Sequence, residues 1–183
     1  GDYDNDGWVD LFVSAVGKNR LFRNQEGHFT EVTDAAGVEG DADAWSTCCG
    51  WFDYDNDGDL DLFVGNYLHW TREIDLSLHC TLKGEGRAYC RPDAFQGAFP
   101  YLYRNDGQGK FTDVSQPAGV QIRNPDTGVP LAKSLGLTFV DLDADGWMDI
   151  VVANDTVQNL LFRNRGDGGF DEIGTISGLA FDA

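Results

Sequence analysis

The sequence predicts an all-β chain, a partial β-propeller of about three four-stranded blades, and three observations carry that expectation. The pattern D-x-D-x-D-G-x-x-D occurs at residues 2–10, 53–61 and 141–149. Each copy runs into a short apolar stretch, LFV, LFV or IVV, made of β-forming residues without a helical period. Downstream of each copy the same words recur: Leu21-Phe22-Arg23-Asn24, Leu102-Tyr103-Arg104-Asn105 and Leu161-Phe162-Arg163-Asn164, followed by GHFTEV, GKFTDV and GFDEI. Four short antiparallel strands in a repeat of about 50 residues describe a propeller blade.

The acidic loops come first in each unit. Carboxylates at loop positions 1, 3 and 5 (Asp2, Asp4, Asp6; Asp53, Asp55, Asp57; Asp141, Asp143, Asp145) repel one another unless a hard cation sits among them. An all-oxygen ligand set favours calcium over zinc or copper, so about three Ca2+ ions are expected. The glycine at position 6 (Gly7, Gly58, Gly146) permits the sharp reversal that returns later ligands to the same ion. Position 7 (Trp8, Asp59, Trp147) is expected to offer its backbone carbonyl, which frees its side chain to vary. The aspartate at position 9 (Asp10, Asp61, Asp149) is expected to close the shell with both oxygens. An EF-hand would need a bidentate Glu at position 12, where this chain has Val13, Val64 and Val152, and a helix on each side.

The strand before the loop aligns between the second and third units. Thr47, Cys49 and Trp51 fall opposite Leu135, Leu137 and Phe139, and Cys48, Gly50 and Phe52 opposite Gly136, Thr138 and Val140. Both faces are largely apolar, as a strand between neighbouring blades requires. The stretches 24–27, 105–109 and 164–169 hold the Asn and Gly residues that hairpin turns favour. Blade units are expected at roughly 1–38, 39–120 and 121–183, the second interrupted by an insertion at 66–100.

Loop, LFV strand, LFRN strand and GxFTxV strand together resemble the FG-GAP/VCBS repeats of integrin-α-like propellers, and more narrowly the cartilage acidic protein and ASPIC/UnbV group. The resemblance implies calcium at loop positions 1, 3, 5 and 9, and a secreted, extracellular or periplasmic interaction or adhesion module. A C-x-G-x-Y-C-x-P insertion recurs in that group, matched here by Cys80, Gly86, Tyr89, Cys90 and Pro92.

Length and charge bound the rest. Propellers close with about four to eight blades, and 183 residues carry three loops, so the chain is expected to be a fragment of a longer propeller. Net charge is −18, and 13 of the acidic residues sit in the loops. Even with three divalent ions the chain stays acidic, which disfavours a nucleic-acid partner. No run of 18 apolar residues offers a membrane span. The expected partner is a protein or a carbohydrate.

The insertion is the part the repeat does not explain. From Leu62 to Tyr101 there are 40 residues, against 10 from Leu11 to Arg20. Cys80 and Cys90 most simply form a disulfide, which would stabilise by roughly 2–3 kcal/mol and suit an oxidising compartment. A zinc site of His69, His79, Cys80 and Cys90 is the alternative, although its spacing matches no common zinc pattern. Cys48 and Cys49 read as small buried hydrophobes, or as a vicinal disulfide. Trp70, Tyr89, Arg91, Phe95 and Phe99 either anchor a partner or pack the insertion onto its own blade. No motif assembles a nucleophile with a base, so no catalytic residue is assigned. An enzyme of the polysaccharide-lyase kind would need Arg72, His79, Arg87, Tyr89 and Arg91 to converge in a cleft.

Overall fold

A computed structural model describes residues 1–181, so the last two residues of the third expected unit lie outside the description. The chain folds as an open array of antiparallel sheets, a partial β-propeller. The first sheet has the order β1 (Leu11–Val13), β2 (Arg20–Gln25), β3 (His28–Glu31). A helical turn, α1 (Thr33–Ala36), follows it. The second sheet is β4 (Ser46–Phe52), β5 (Asp61–Asn66), then β8 (Tyr101–Asn105) and β9 (Phe111–Asp113). Between β5 and β8 the insertion folds as α2 (Arg72–Ser77), a hairpin of β6 (Thr81–Leu82) and β7 (Glu85–Arg87), and a 3-10 turn at Pro92–Ala94. The third sheet is β10 (Ser134–Val140), β11 (Asp149–Asn154), β12 (Leu160–Asn164) and β13 (Phe170–Glu172), closed by α3 (Gly174–Ser177).

The helical turns α1 and α3 are an addition to the all-strand unit that the repeat words describe. Each ends at a glycine with φ near +80°, Gly37 and Gly178, a conformation that side-chain-bearing residues rarely adopt. The residue at or just before the turn also holds the sheet: Thr33 Oγ1, Ser115 Oγ and Glu172 Oε1 accept from the amides of Leu21, Leu102 and Leu161.

Two cores form because the middle strands bury both faces. Along β5, Leu62 and Val64 join Tyr3, Phe12, Leu21 and Tyr103 in a cluster between the first and second sheets. Phe63, on the opposite side of the same strand, joins Phe52, Leu102, Ile150 and Phe162 between the second and third sheets. All six residues of β5 are buried, which accounts for the consecutive apolar residues Leu62, Phe63 and Val64 at its centre.

β4 and β10 meet across the second interface. Phe139 stacks on Phe52 with ring centroids 4.1 Å apart, and Thr47 Oγ1 donates to the Ser134 carbonyl at 2.6 Å. Gly50 makes the approach possible, because a Cβ at that position would lie 2.5 Å from Phe139 Cε2. Gly50→Ala is expected to lower stability by about 1–3 kcal/mol through this overlap, measured by urea unfolding; an unchanged midpoint would show that the sheets move apart freely.

Candidate metal centres

Each acidic loop folds around its own first aspartate. Asp2, Asp53 and Asp141 accept from two backbone amides each, those of Asp6 and Gly7, Asp57 and Gly58, and Asp145 and Gly146, at 2.9–3.2 Å. The fifth position does the same locally: Asp6, Asp57 and Asp145 accept from the amides of Trp8, Asp59 and Trp147. These bonds force positive φ at position 4 (Asn5, Asn56, Ala144) and at the glycines of position 6. The result is the same cradle three times, in which one carboxylate oxygen from each of positions 1, 3 and 5 lies within 4.8 Å of the others.

The third position is the least satisfied. Asp4 Oδ1 and Asp55 Oδ1 are buried and have no hydrogen-bond partner. Burial pushes both carboxyls above the usual carboxylate range, as an ionised oxygen without a donor must be. In the first loop Arg23 offsets part of this, with its Nε 2.6 Å from Asp4 Oδ2 in a contact too poorly aligned for a hydrogen bond. Its Nη2 reaches Asp6 at 3.2 Å. The matching arginines turn elsewhere, Arg104 to Asp106 and Arg163 to Asp171.

The ninth position stands apart from these triads. Asp10, Asp61 and Asp149 are at most 4 % exposed, and each uses its two oxygens on two backbone amides. One amide is at loop position 2 (Tyr3, Tyr54, Leu142) and the other belongs to the LFRN asparagine (Asn24, Asn105, Asn164), at 2.8–3.1 Å. Burial still pushes the Asp61 carboxyl up to about 7 against these amides. The ninth aspartate is thus a bracket between loop and strand, with one lone pair per oxygen left over for another partner.

The asparagine is the site residue that sequence reasoning took only for a turn former. Asn24, Asn105 and Asn164 each donate to the carbonyl at loop position 8 (Val9, Leu60, Met148). Asn105 and Asn164 also reach across to the preceding loop, donating to the Tyr3 and Tyr54 carbonyls at 2.7 and 2.8 Å. Their side-chain oxygens accept from Gly107 and Gly166 in the hairpin turn. Its recurrence at one fixed place in all three units was the available signal. Loops also touch directly: Asn5 donates to Asp59, and Asn56 to the Gly146 carbonyl.

Because neighbouring strands are antiparallel, the acidic loops and the insertion lie at opposite ends of the second sheet. The insertion is closed at its base by the Leu68–Gly97 bridge and stapled by the Cys80–Cys90 disulfide, so neither sulfur is available to the zinc alternative. Cys48 and Cys49 are free thiols, which sets the vicinal disulfide aside. Lys133, buried on β10's approach, donates from Nζ to the Pro92 carbonyl at 2.7 Å and ties the insertion to the third sheet. The five residues an enzyme reading required do not gather. Arg72 and His79 are exposed, Arg87 pairs with Asp75, Arg91 with Asp93, and Tyr89 alone lines a cavity.

Fold and loops together define a class, the open β-propeller built from repeated carboxylate loops. A family model for FG-GAP-like repeats matches residues 2–64, 94–152 and 141–183, and the chain belongs to that family. The match passes over residues 65–93, which hold most of the insertion. No curated protein matches the chain.

Two substitutions test this geometry by chemical denaturation. Asn164→Ala leaves the Tyr54 and Met148 carbonyls and the Gly166 amide without their partner, and is expected to cost about 2–3 kcal/mol, against about 1 kcal/mol for Asn24→Ala, whose amide serves one loop only. Ala144→Gly removes an L-residue from φ +60° and is expected to stabilise by about 0.5–1 kcal/mol.

Proposed function

We propose that the chain is a calcium-stabilised extracellular propeller module that binds a protein or glycan partner through the face carrying the insertion. The observation that carries the metal reading is the pair of buried, unpartnered oxygens, Asp4 Oδ1 and Asp55 Oδ1, each inside a triad of carboxylates. Carboxylates without donors at such spacing call for a cation, and oxygen-only donors on a tight glycine loop suit Ca2+. The ion would be held in each loop by positions 1, 3 and 5 (Asp2, Asp4, Asp6; Asp53, Asp55, Asp57; Asp141, Asp143, Asp145), by the carbonyl of position 7 (Trp8, Asp59, Trp147), and by the spare lone pairs of Asp10, Asp61 and Asp149. Bound calcium supplies the positive charge that these desolvated carboxylates lack.

The consequence is mechanical. A loop pinned at both ends fixes the angle at which β4 meets β5 and β10 meets β11. Through Asn105 and Asn164 it also fixes each sheet against its neighbour. FG-GAP-like repeats and a disulfide-stapled insertion support an extracellular setting. The Cys80, Gly86, Tyr89, Cys90, Pro92 pattern supports placement near the cartilage acidic protein and ASPIC/UnbV group. Among the described residues no helix is long and apolar enough to cross a membrane.

Calorimetric titration of metal-free protein is expected to give about three sites with dissociation constants of about 10⁻⁴ to 10⁻³ M. Chelator should lower the melting temperature, since a ligand of the folded state stabilises by mass action, and Asp57→Ala should remove one site of the three. No heat and no thermal shift would overturn the reading.

A further inference from the structure

The insertion leaves a half-open cavity of about 240 Å³ where it folds over the second sheet. Two of its walls belong to the sheet. Trp45 lies just before β4 and Tyr67 just after β5, and the Tyr67 amide donates to the Trp45 carbonyl at 2.8 Å. Their rings stand at 90° with centroids 5.5 Å apart. Trp70 supplies a third wall, at 75° to Trp45 and 5.9 Å from it. Phe95 and Tyr89 come from the far arm of the insertion, and Tyr89 is fully exposed at the rim. The Tyr67 ring is fixed at its other end, where the hydroxyl donates to Asp155 at 2.6 Å.

Trp45, Tyr67, Trp70, Tyr89 and Phe95 make the lining of this small volume predominantly aromatic, a composition that favours a cation over a neutral solute. One carboxylate, Asp75 of α2, also lines the space. Its charge is partly met by Arg87 at 3.6 Å, but that guanidinium is not among the lining residues. A net charge of −18 biases the whole surface toward cations. A hydrated metal ion would find one carboxylate and no further charged ligand here, whereas a weakly hydrated alkylammonium group needs aromatic faces and one counter-charge.

We propose that this aromatic cavity binds a quaternary ammonium group, as carried by choline-like headgroups or trimethylated amines. The proposal deepens the reading of the insertion as a contact face and does not depend on the metal loops. The group would sit against Trp45, Tyr67 and Trp70 with Asp75 as counter-ion, and Tyr89 would close over it. The disulfide beside the cavity holds the far arm in place, since Cys90 is itself a lining residue.

Choline chloride is the probe, titrated into the full chain at fixed calcium and constant ionic strength, with tryptophan fluorescence and calorimetry as readouts. Its neutral isostere, 3,3-dimethylbutan-1-ol, is titrated in parallel. Saturable choline binding, with the neutral alcohol roughly tenfold weaker, is the expected result. Trp70→Ala should weaken choline by roughly tenfold or more. Tyr89→Ala, at a fully exposed side chain that the fold does not need, should weaken it several-fold with an unchanged melting temperature. Equal affinity for the charged and neutral probes would overturn the proposal and leave a plain apolar hollow. Absence of a saturable choline signal from protein that still melts cooperatively would overturn it too. Because the calcium reading is judged by calcium titration and chelator-dependent melting, either can fail without the other.

Discussion

A buried carboxylate that gathers backbone amides from two chain segments is the interaction on which the rest of the structure depends. Asp10, Asp61 and Asp149 each bind an amide of their own loop and an amide of the neighbouring strand in the sheet. Loops are ordinarily the part of a β-protein most free to vary. Here the loop is fastened to the sheet it leaves, and in the second and third sheets the asparagine that receives the bracket also holds the preceding loop. Burying such a carboxylate is costly, and burial pushes the Asp61 carboxyl up to about 7. The amides offset it in part; the crowding of further carboxylates in front of the bracket is what makes a cation at this end of the sheets physically sensible.

The packing follows from the same geometry. With loops held in series, adjacent sheets are close enough for position-2 tyrosines to act as wedges. Tyr3 stacks on Trp51 and Tyr54 on Phe170, each reaching into the next sheet. Leu142, at the same position in the third loop, is 52 % exposed, because no described sheet lies beyond it. The two cores are therefore interfaces between sheets rather than the interior of any one sheet, and a β-strand such as β5 contributes alternate residues to both. Stability in such an array is shared between neighbours, so the close approach at Gly50 and the Thr47 hydrogen bond add to the large apolar residues in holding one sheet on the next.

Division of labour between the two ends of the sheets is the functional message. One end is acidic, repetitive and internally hydrogen-bonded. The other carries the non-repeating segment, with its disulfide, its aromatic cavity and a larger hollow of about 530 Å³ that Asp41, His69 and Gln96 help to line. The repeat thereby carries a segment that has no counterpart in its other two units.

The triple acidic motif, its glycine and the LFRN and GxFTxV words were enough to determine the strand order within each unit, the loop cradles and the position of the insertion. These are local properties, set by spacing, turn chemistry and alternation, which three internal copies repeat. Tertiary structure alone decided the role of the ninth aspartate and of Asn24, Asn105 and Asn164, because apart from the turn glycines their partners lie 7 to 110 residues away and a backbone amide leaves no mark in the sequence. It also separated Arg23, drawn into its loop, from Arg104 and Arg163, which carry the same word and turn away. The convergence of Trp45, Tyr67, Trp70 and Phe95 on one cavity belongs to the same kind: Trp70 and Phe95 stand out in the sequence as anchors or packing residues of the insertion, and only its fold over the sheet brings them together with Trp45 and Tyr67.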